Sequence, residues 1–413
     1  MINAFEITYA ILLFWAIYFQ VFFLVVFFEK RDKIHENDIV YRDNLYPSIS
    51  FLIPCWNEEN TLLGTIQSIL ASDYPKDKLK IIAIDDGSTD KTWERLSELA
   101  GHPQITILKK ENGGKHTALN LALKQVKTDL VASFDADTKI DPQALKNAVS
   151  YFIKDNTLMA LGGAVLIDNP QTIVQKAQSV EYQMFSFSKK ILGFIGGVFV
   201  VPGAFSIFRT KVFKKIGGYK KAYNLEDVEL TMRLQEAGMK VDHCHTAFVS
   251  TKGPDSLKKL FKQRLRWSYG FILNVRDYYK LILNKKYGNF GLFTLPMNIF
   301  APIIILFVFF LGVYRLVLFI SQKIVEINLV GFNSINLFNW DMFFTNTQPT
   351  NLLAISMYVF IILSIYLGKR ISKVKTLNLS HIFYFMIIYS ILPPLWILKS
   401  IYNTATAKAI SWR

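Results

Sequence analysis

Cysteine and acidic residues are scarce in this chain of 413 residues. Two cysteines are too few for a fold held together by disulfides. The 32 Asp and Glu residues are outnumbered by 47 Lys and Arg, which gives a net charge of +15. Charged residues make up only 19% of the sequence, below the roughly 25% of an ordinary soluble domain, whereas 51% of residues are hydrophobic. This composition excludes intrinsic disorder and predicts a protein of which only a part is soluble.

The apolar excess is concentrated in segments near the two ends of the chain. Four of them carry no formal charge: 7–28, 292–314, 351–368 and 377–398. Each is long enough to cross the roughly 30 Å hydrocarbon core of a bilayer as a helix. The alternative for the first segment is a signal peptide. It lacks a basic N-terminal region and a small-residue cleavage site, which favours an uncleaved anchor.

Lys and Arg residues near the ends of these segments predict the orientation in the membrane. Basic residues follow the first segment at 30–33, precede the second at 285–286 and follow the third at 369–375. Four spans would then leave residues 29–290 in the cytosol and both termini outside. Basic residues after the fourth segment, Lys399, Lys408 and Arg413, oppose this arrangement. We expect a multi-pass protein of the plasma membrane.

Strand-like and helix-like segments alternate between residues 46 and 253. The predicted strands are 49–53, 79–84, 105–108 and 130–134, with helices near 58–71, 90–100 and 115–127. Such a series predicts a mostly parallel sheet covered by helices. Because ligands of these sheets bind beyond the carboxyl ends of the strands, we expect polar motifs there to form a site.

Polar residues do follow these strands. They are Trp56 and Glu58 after the first, Asp85 and Asp86 after the second, Lys115 after the loop 112–114, and Asp135 and Asp137 after the fourth. Each alone is equally explained as a turn, a helix cap or a solvated side chain. The D-x-D spacing directs both carboxylates to one side of an extended segment, where they could bind Mg²⁺ or Mn²⁺ with a diphosphate.

Three further motifs follow. Glu226 and Asp227 begin a helix, where acids are favoured by the helix dipole but could also supply a general base. The segment 256–270 is basic and amphipathic, and it is explained either as a helix lying on anionic lipid or as a diphosphate clamp. Asp242-His243-Cys244-His245 contains metal-ligand types. No second cluster completes a tetrahedral set, so we do not predict a metal site there.

In this order, the motifs from Pro54 to Trp267 and the flanking apolar segments resemble the processive, membrane-embedded glycosyltransferases of family 2. That group includes the synthases of cellulose, chitin, hyaluronan and poly-N-acetylglucosamine. The resemblance implies an α/β catalytic domain of GT-A type joined to α-helical transmembrane segments. It divides the chain into an N-terminal transmembrane helix (1–29), the cytosolic domain (46–253) with an interfacial helix (171–192), an interfacial Q-x-x-R-W segment (254–290) and about three C-terminal helices (291–413).

The resemblance also assigns a role to each motif residue. The uridine would be held by Trp56, Glu58, Asp85 and Asp86, and the diphosphate by Lys115, Gln263, Arg264 and Arg266. Ribose and Mg²⁺ or Mn²⁺ would be bound by Asp135 and Asp137. The acceptor hydroxyl would lose its proton to Asp227 beside Glu226, near Gly203 and Trp267. In two places the chain departs from the family pattern: Leu225 stands where Thr is usual, and 251–254 lacks an acid.

The expected reaction is inverting transfer of a sugar from a UDP-sugar to a growing β-linked polysaccharide, coupled to its passage through the membrane. In its compact size and in residues 202–209 the chain resembles the poly-N-acetylglucosamine and chitooligosaccharide synthases, and this resemblance implies UDP-N-acetylglucosamine as the donor. The alternative within enzymes is transfer of one sugar to a lipid acceptor. An inactive binding subunit is disfavoured by the retained carboxylates. Nucleic-acid binding is disfavoured because the positive charge lies near membrane ends. Membrane lipid and accessory secretion subunits are the expected partners.

Overall fold

A computed structural model describes residues 4–34, 46–331, 349–372 and 378–408. The helices are α1 (Ala4–Lys30), α2 (Leu62–Leu70), α3 (Thr92–Ser97), α4 (Lys115–Leu123), α5 (Ala144–Lys154), α6 (Ile173–Phe194), α7 (Lys211–Ile216), α8 (Glu226–Glu236), α9 (Leu257–Asp277), α10 (Leu295–Val330), α11 (Pro349–Ile371) and α12 (Leu379–Ala405). The strands are β1 (Ile49–Cys55), β2 (Leu79–Asp86), β3 (Ile105–Lys110), β4 (Leu130–Phe134), β5 (Thr138–Ile140), β6 (Leu158–Ile167), β7 (Phe205–Arg209) and β8 (Lys240–Thr251).

The eight strands form one mixed sheet in the order β3-β2-β1-β4-β7-β6-β8-β5. Strands β1 to β4 pair in parallel, as the alternation of strands and helices predicts. The other half departs from the mostly parallel prediction, because β7 runs antiparallel to both β4 and β6, and β5 runs antiparallel to β8. The reversal at β7 brings the loop before that strand to the carboxyl end of β4, beside the D-x-D motif.

The centre of the sheet is held by apolar packing on both faces. On one face the rings of Phe51, Phe134 and Phe205 lie within 6.4 Å of one another, on three adjacent strands. All three are fully buried. Burial of aromatic side chains contributes strongly to stability, so this cluster fixes the strands whose ends carry the polar motifs.

Three described helices are long and apolar enough to cross a membrane: residues 7–33, 290–329 and 379–405. The helix α11 is also free of formal charge until Lys369. The second apolar segment was predicted to end at residue 314. In the structure its helix, α10, continues to Val330. Lys373, Lys375 and Arg413, which entered the orientation prediction, lie outside the described residues, as does the first residue of the predicted segment 377–398.

Two amphipathic helices connect the sheet to these apolar helices. The first, α6, begins with a capping box in which Thr172 and Gln175 satisfy each other's backbone N–H groups. Its Gln178 side chain donates to the carbonyl of Pro254, just before α9. The second, α9, carries the Q-x-x-R-W residues. A hydrogen bond therefore joins α6 to the segment that precedes α9.

Candidate active site

One cavity of about 2230 Å³ lies at the carboxyl ends of β1, β2 and β4 and extends between the apolar helices. Its wall includes every predicted site residue except Asp85 and Arg264. Those present are Trp56, Glu58, Asp86, Lys115, Asp135, Asp137, Gly203, Glu226, Asp227, Gln263, Arg266 and Trp267. Residues separated by more than 200 positions in sequence thus face one space.

Asp227 lies at the start of α8 and is held by two backbone donors. The N–H of Gly203 donates to Oδ2 at 3.1 Å, and the N–H of Val228 donates to Oδ1 at 2.8 Å. Burial and the neighbouring Glu226 carboxylate raise the pKa of Asp227 above its ordinary value. An added Cβ at Gly203 would lie 2.9 Å from the Lys115 ammonium, which would have to shift, and 3.6 Å from the Asp227 carboxylate, an ordinary contact. The result is an oriented carboxylate with raised basicity.

Lys115 links the two acidic motifs. Its Nζ lies 2.6 Å from Oδ1 of Asp135 and 3.0 Å from Oε1 of Glu226. Burial alone would lower the pKa of Lys115, but these two carboxylates raise it, so the ammonium stays charged. Burial acts on Glu226 in the opposite sense, yet Lys115 and hydrogen bonds hold the pKa of Glu226 below its ordinary value. Lys115 therefore fixes the distance between the D-x-D motif and Asp227.

The D-x-D carboxylates differ in environment. Asp135 pairs with Lys115, whereas Oδ1 of Asp137 accepts from the hydroxyls of Thr138 and Thr251, both at 3.3 Å. Burial and the nearby Asp135 carboxylate raise the pKa of Asp137 to about 6. Two neighbouring carboxylates repel each other unless a cation is shared, and hard oxygen ligands suit Mg²⁺ or Mn²⁺. Among the described residues no cluster of three or more His, Cys, Asp or Glu ligands occurs.

The two carboxylates after β2 have different surroundings. Asp86 accepts from Nζ of Lys110 at 2.6 Å and from the N–H groups of Gly113 and Gly114, so it orders the glycine-rich loop. Asp85 is fully buried and accepts from the N–H of Ser88. Its second oxygen, Oδ2, has no hydrogen-bond partner in the described part of the chain. A buried acceptor without a partner is costly. Because Asp85 lies outside the cavity wall, its contact with the uridine stays a prediction.

The Q-x-x-R-W residues of α9 point in two directions. Gln263, Arg266 and Trp267 face the cavity, and the buried Oε1 of Gln263 makes no hydrogen bond within the described residues. Arg264 is 4% exposed and does not line the cavity, although its partners Glu181 and Trp267 do. Its guanidinium lies 2.5 Å from Glu181 of α6 and stacks on the Trp267 ring at 4.1 Å. The predicted contact of Arg264 with the diphosphate thus has a competing protein partner.

Two titratable residues of the cavity wall, Lys189 and His243, had no role in the site predicted from the sequence. Lys189 of α6 lines the wall, and burial lowers its pKa to about 8. His243 of β8 is 1% exposed, and burial together with Lys189 lowers its pKa well below the ordinary value. A lysine such as Lys189 in an amphipathic helix is usually explained as a solvated side chain. His243 was considered only as a possible metal ligand. Neither pattern predicts a place in the cavity wall.

A family model described as glycosyltransferase like family 2 matches residues 47–270, which is more than half of the chain. The chain belongs to glycosyltransferase family 2. Among curated relatives, a poly-β-1,6-N-acetyl-D-glucosamine synthase of Staphylococcus epidermidis is 26% identical over 386 residues, covering 92% of this chain and 90% of the relative. A synthase of the same name from Staphylococcus aureus is 29% identical over 285 residues, covering 67% and 68%.

The fold has a counterpart among solved structures. A mannosyltransferase of Pyrobaculum calidifontis, solved in complex with GDP-Man and Mn²⁺, superposes with a TM-score of 0.58. The match covers 96% of this chain and 99% of that one, at 15% sequence identity. At this identity the likeness concerns the fold. The predicted GT-A-type fold with apolar helices and the predicted family are both confirmed.

Proposed function

We propose that this glycosyltransferase transfers N-acetylglucosamine from UDP-N-acetylglucosamine, with inversion, to a growing β-1,6-linked polysaccharide. The observation that carries the proposal is the oriented Asp227 carboxylate, which faces the same cavity as the D-x-D motif and the nucleotide-side residues. The names of the staphylococcal relatives support the sugar and the linkage. The catalytic domain would lie on the cytosolic side of the membrane, where the UDP-sugar is available.

Asp227 acts as the general base in this proposal. Each carboxylate oxygen accepts one backbone N–H, which fixes its direction and leaves lone pairs for the acceptor hydroxyl. The hydroxyl proton moves to Asp227 while the sugar oxygen attacks the anomeric carbon from the face opposite the diphosphate. The bond from the anomeric carbon to the diphosphate oxygen breaks, and UDP leaves. Burial strengthens the base because it raises its pKa.

Asp135 and Asp137 would hold Mg²⁺ or Mn²⁺ together with the donor diphosphate. A bound divalent cation would stabilise the charge on the departing diphosphate. The residues of this chain keep that end of the site ordered: Lys115 holds Asp135, and the hydroxyls of Thr138 and Thr251 hold Asp137. Gln263 and Arg266 face the same cavity and could bind the diphosphate.

Polymer synthesis and passage through the membrane are supported by the continuation of the cavity. Beyond Trp267 its wall is formed by residues of α1, α10, α11 and α12, among them Gln20, Asn298 and Ser364. A polysaccharide needs hydrogen-bonding side chains along an otherwise apolar path, because an unpaired polar group is costly away from water. The continuous space from Asp227 to these helices would let a product move forward as each sugar is added.

The test is incubation of purified protein in lipid nanodiscs with labelled UDP-N-acetylglucosamine, UDP-glucose, UDP-glucuronate and GDP-mannose, each with Mg²⁺, Mn²⁺ or EDTA. We expect a product of high mass only from UDP-N-acetylglucosamine and a cation, and its digestion by a hydrolase specific for β-1,6 linkages. A glycolipid carrying one sugar as the sole product would contradict the polymerase proposal and support the lipid-acceptor alternative. Turnover that is unchanged by EDTA would contradict the proposal that the reaction needs a divalent cation.

A further inference from the structure

The apolar helices meet the catalytic domain in two different ways. Helix α1 contacts α6 through its C-terminal end, where Val26 and Phe27 pack on Phe187 and Ile191. Its N-terminal part is distant from the domain, and there Tyr9 and Leu13 pack on Leu311 of α10. A helix that leaves a domain to cross a bilayer has this pattern, with domain contacts at one end only.

Helices α10 and α11 follow the same pattern. At the start of α10, the Thr294 hydroxyl donates to the carbonyl of Gly197, and the far part of the helix packs on α1. Near the end of α11, Gly368 lies so close to α6 that an added Cβ would be 2.6 Å from the carbonyl of Gln183. Earlier in α11, Met357 joins the cluster with Tyr9 and Leu311. Helix α10 therefore leads away from the domain, and α11 returns to it.

Helix α12 instead contacts the catalytic domain along its whole length. Near its start, Nδ1 of His381 lies 3.2 Å from the Ser179 hydroxyl of α6. In its middle, the Tyr389 hydroxyl donates to Glu181 of α6 at 2.5 Å. Near its end, the Ser400 hydroxyl donates to the carbonyl of Leu265 of α9 at 3.4 Å. At about 1.5 Å per residue, the first and last of these contacts are roughly 28 Å apart along the helix.

That separation is close to the roughly 30 Å thickness of the hydrocarbon core. If α12 crossed the membrane, one of its contacts with the domain would have to lie near the opposite surface. The partners exclude this, because α6 is tied to the segment before α9 through Gln178, and the Glu181–Arg264 ion pair joins α6 to α9. Both ends of α12 are therefore on the side of the catalytic domain.

The two faces of α12 match this position. The face toward α6 and α9 is buried and includes Phe385, Ile388, Trp396, Ser400 and Asn403. The opposite face is exposed and apolar, and it runs through Leu379 (78% exposed), Phe383 (61%), Ile387 (45%), Ile391 (54%), Leu395 (41%), Leu398 (36%) and Tyr402 (56%). An exposed apolar surface of this length indicates contact with a membrane or with another protein.

We propose that α12 lies in the plane of the membrane interface instead of crossing it, with its exposed stripe seated on lipid acyl chains. Helix α12 contacts α10, which also carries an exposed apolar surface, for example at Phe310 and Leu316. The Lys399 ammonium beside the Tyr402 ring can reach the headgroups. The membrane is then crossed by α1, α10 and α11, and residue 408 lies on the same side as the active site. The basic residues after the fourth segment now agree with the positive-inside rule.

The test uses single added cysteines in the full chain, labelled with a membrane-impermeant maleimide in sealed right-side-out and inside-out vesicles. The native Cys55 and Cys244 are fully buried, so the unsubstituted chain is the blank. The exposed positions are S97C on the catalytic domain, Q322C at the far end of α10 and T406C after α12. We expect S97C and T406C to label from the same side and Q322C from the other. Labelling of T406C together with Q322C would overturn the proposal.

Depth in the bilayer gives a second, independent measurement. Spin labels at Phe383, Ile391 and Tyr402 should show high collision rates with oxygen at similar depths, because an in-plane helix lies roughly 5–10 Å below the headgroups along its length. A depth that changes steadily from one label to the next would show a crossing helix. Low accessibility to both oxygen and a water-soluble relaxant would show that a protein surface, not lipid, covers the stripe, and this too would overturn the proposal. Both readouts are independent of enzymatic activity, so they do not depend on the proposed sugar.

Discussion

Replacement of Asp227 by Asn tests the proposed base most directly. An amide has nearly the shape of the carboxylate, but it cannot take a proton from the acceptor hydroxyl. A positioned general base contributes about 100- to 10,000-fold to the rate, which is about 3–5 kcal/mol of barrier. We expect kcat to fall within that range. The affinity for UDP should be unchanged, because the described hydrogen bonds of the Asp227 carboxylate are with the N–H groups of Gly203 and Val228, not with the residues proposed to bind UDP.

The amide also perturbs the local structure, and this effect must be separated from catalysis. Asp227 accepts two backbone N–H groups, so one of them would face the NH₂ group of Asn, at a cost of about 1–3 kcal/mol. Asp242 offers a matched control. It also accepts a backbone N–H, from His243 at 2.7 Å, and burial raises its pKa as well, but it does not line the cavity.

The assay compares D227N and D242N in nanodiscs for incorporation of labelled sugar, for UDP binding and for thermal unfolding. We expect D242N to keep its rate, and D227N to lose its rate and keep UDP binding. Full turnover by D227N would refute the assignment of the base. Equal loss of rate in both variants would show that structural damage, not proton transfer, explains the effect.

Three further predictions follow from the contacts in the site. Because only the deprotonated form of Asp227 accepts a proton and its pKa is raised, the rate should fall on acidification at a pH clearly above the ordinary Asp value of about 4; a fall only near that value would contradict the raised pKa. Either single replacement in the buried Glu181–Arg264 pair should destabilise the protein by about 3–5 kcal/mol, and the combined change to Leu and Met should recover most of it. If Arg264 instead clamps the diphosphate, the double variant will keep a raised KM for the UDP-sugar. Replacement of Asp137 by Asn should weaken Mn²⁺ binding at least about tenfold in an EPR titration, with D242N as the control, and equal affinity in both variants would exclude Asp137 as a ligand.

The parallel half of the sheet, β1 to β4, could be predicted because it follows from the local alternation of strands and helices. The strands β1 to β4 are short apolar runs between helices, and consecutive parallel strands bring their carboxyl ends to one edge, so Asp86 and Asp135 had to lie near each other. The antiparallel β7 had no such signal, because its direction is decided by how it enters the sheet between β4 and β6. Its arrival explains why Gly203 contacts Asp227.

The ionic partners of the site could not be read from the sequence. Lys115 was expected at the diphosphate because it ends a glycine-rich loop, yet its Nζ lies between Asp135 and Glu226. Arg264 and Arg266 stand two positions apart on one helix, and a rotation of about 200° separates their directions. Which of them faces the cavity depends on where α6 presents Glu181. Such pairings are set by tertiary packing, so composition and spacing identify the residues but not their partners.

The last helix shows the limit of hydropathy most clearly. A segment that is apolar on every side satisfies the criterion for a span, whether its second face meets lipid or protein. In α12 one face meets α6 and α9 and the other is exposed, and only the contacts of His381, Tyr389 and Ser400 with the catalytic domain distinguish these cases. Because Tyr389 donates to the same Glu181 that pairs with Arg264, and Arg264 stacks on Trp267, a displacement of α12 would reach the Trp267 side of the cavity through three contacts. The membrane interface is therefore part of the structure that holds the active site.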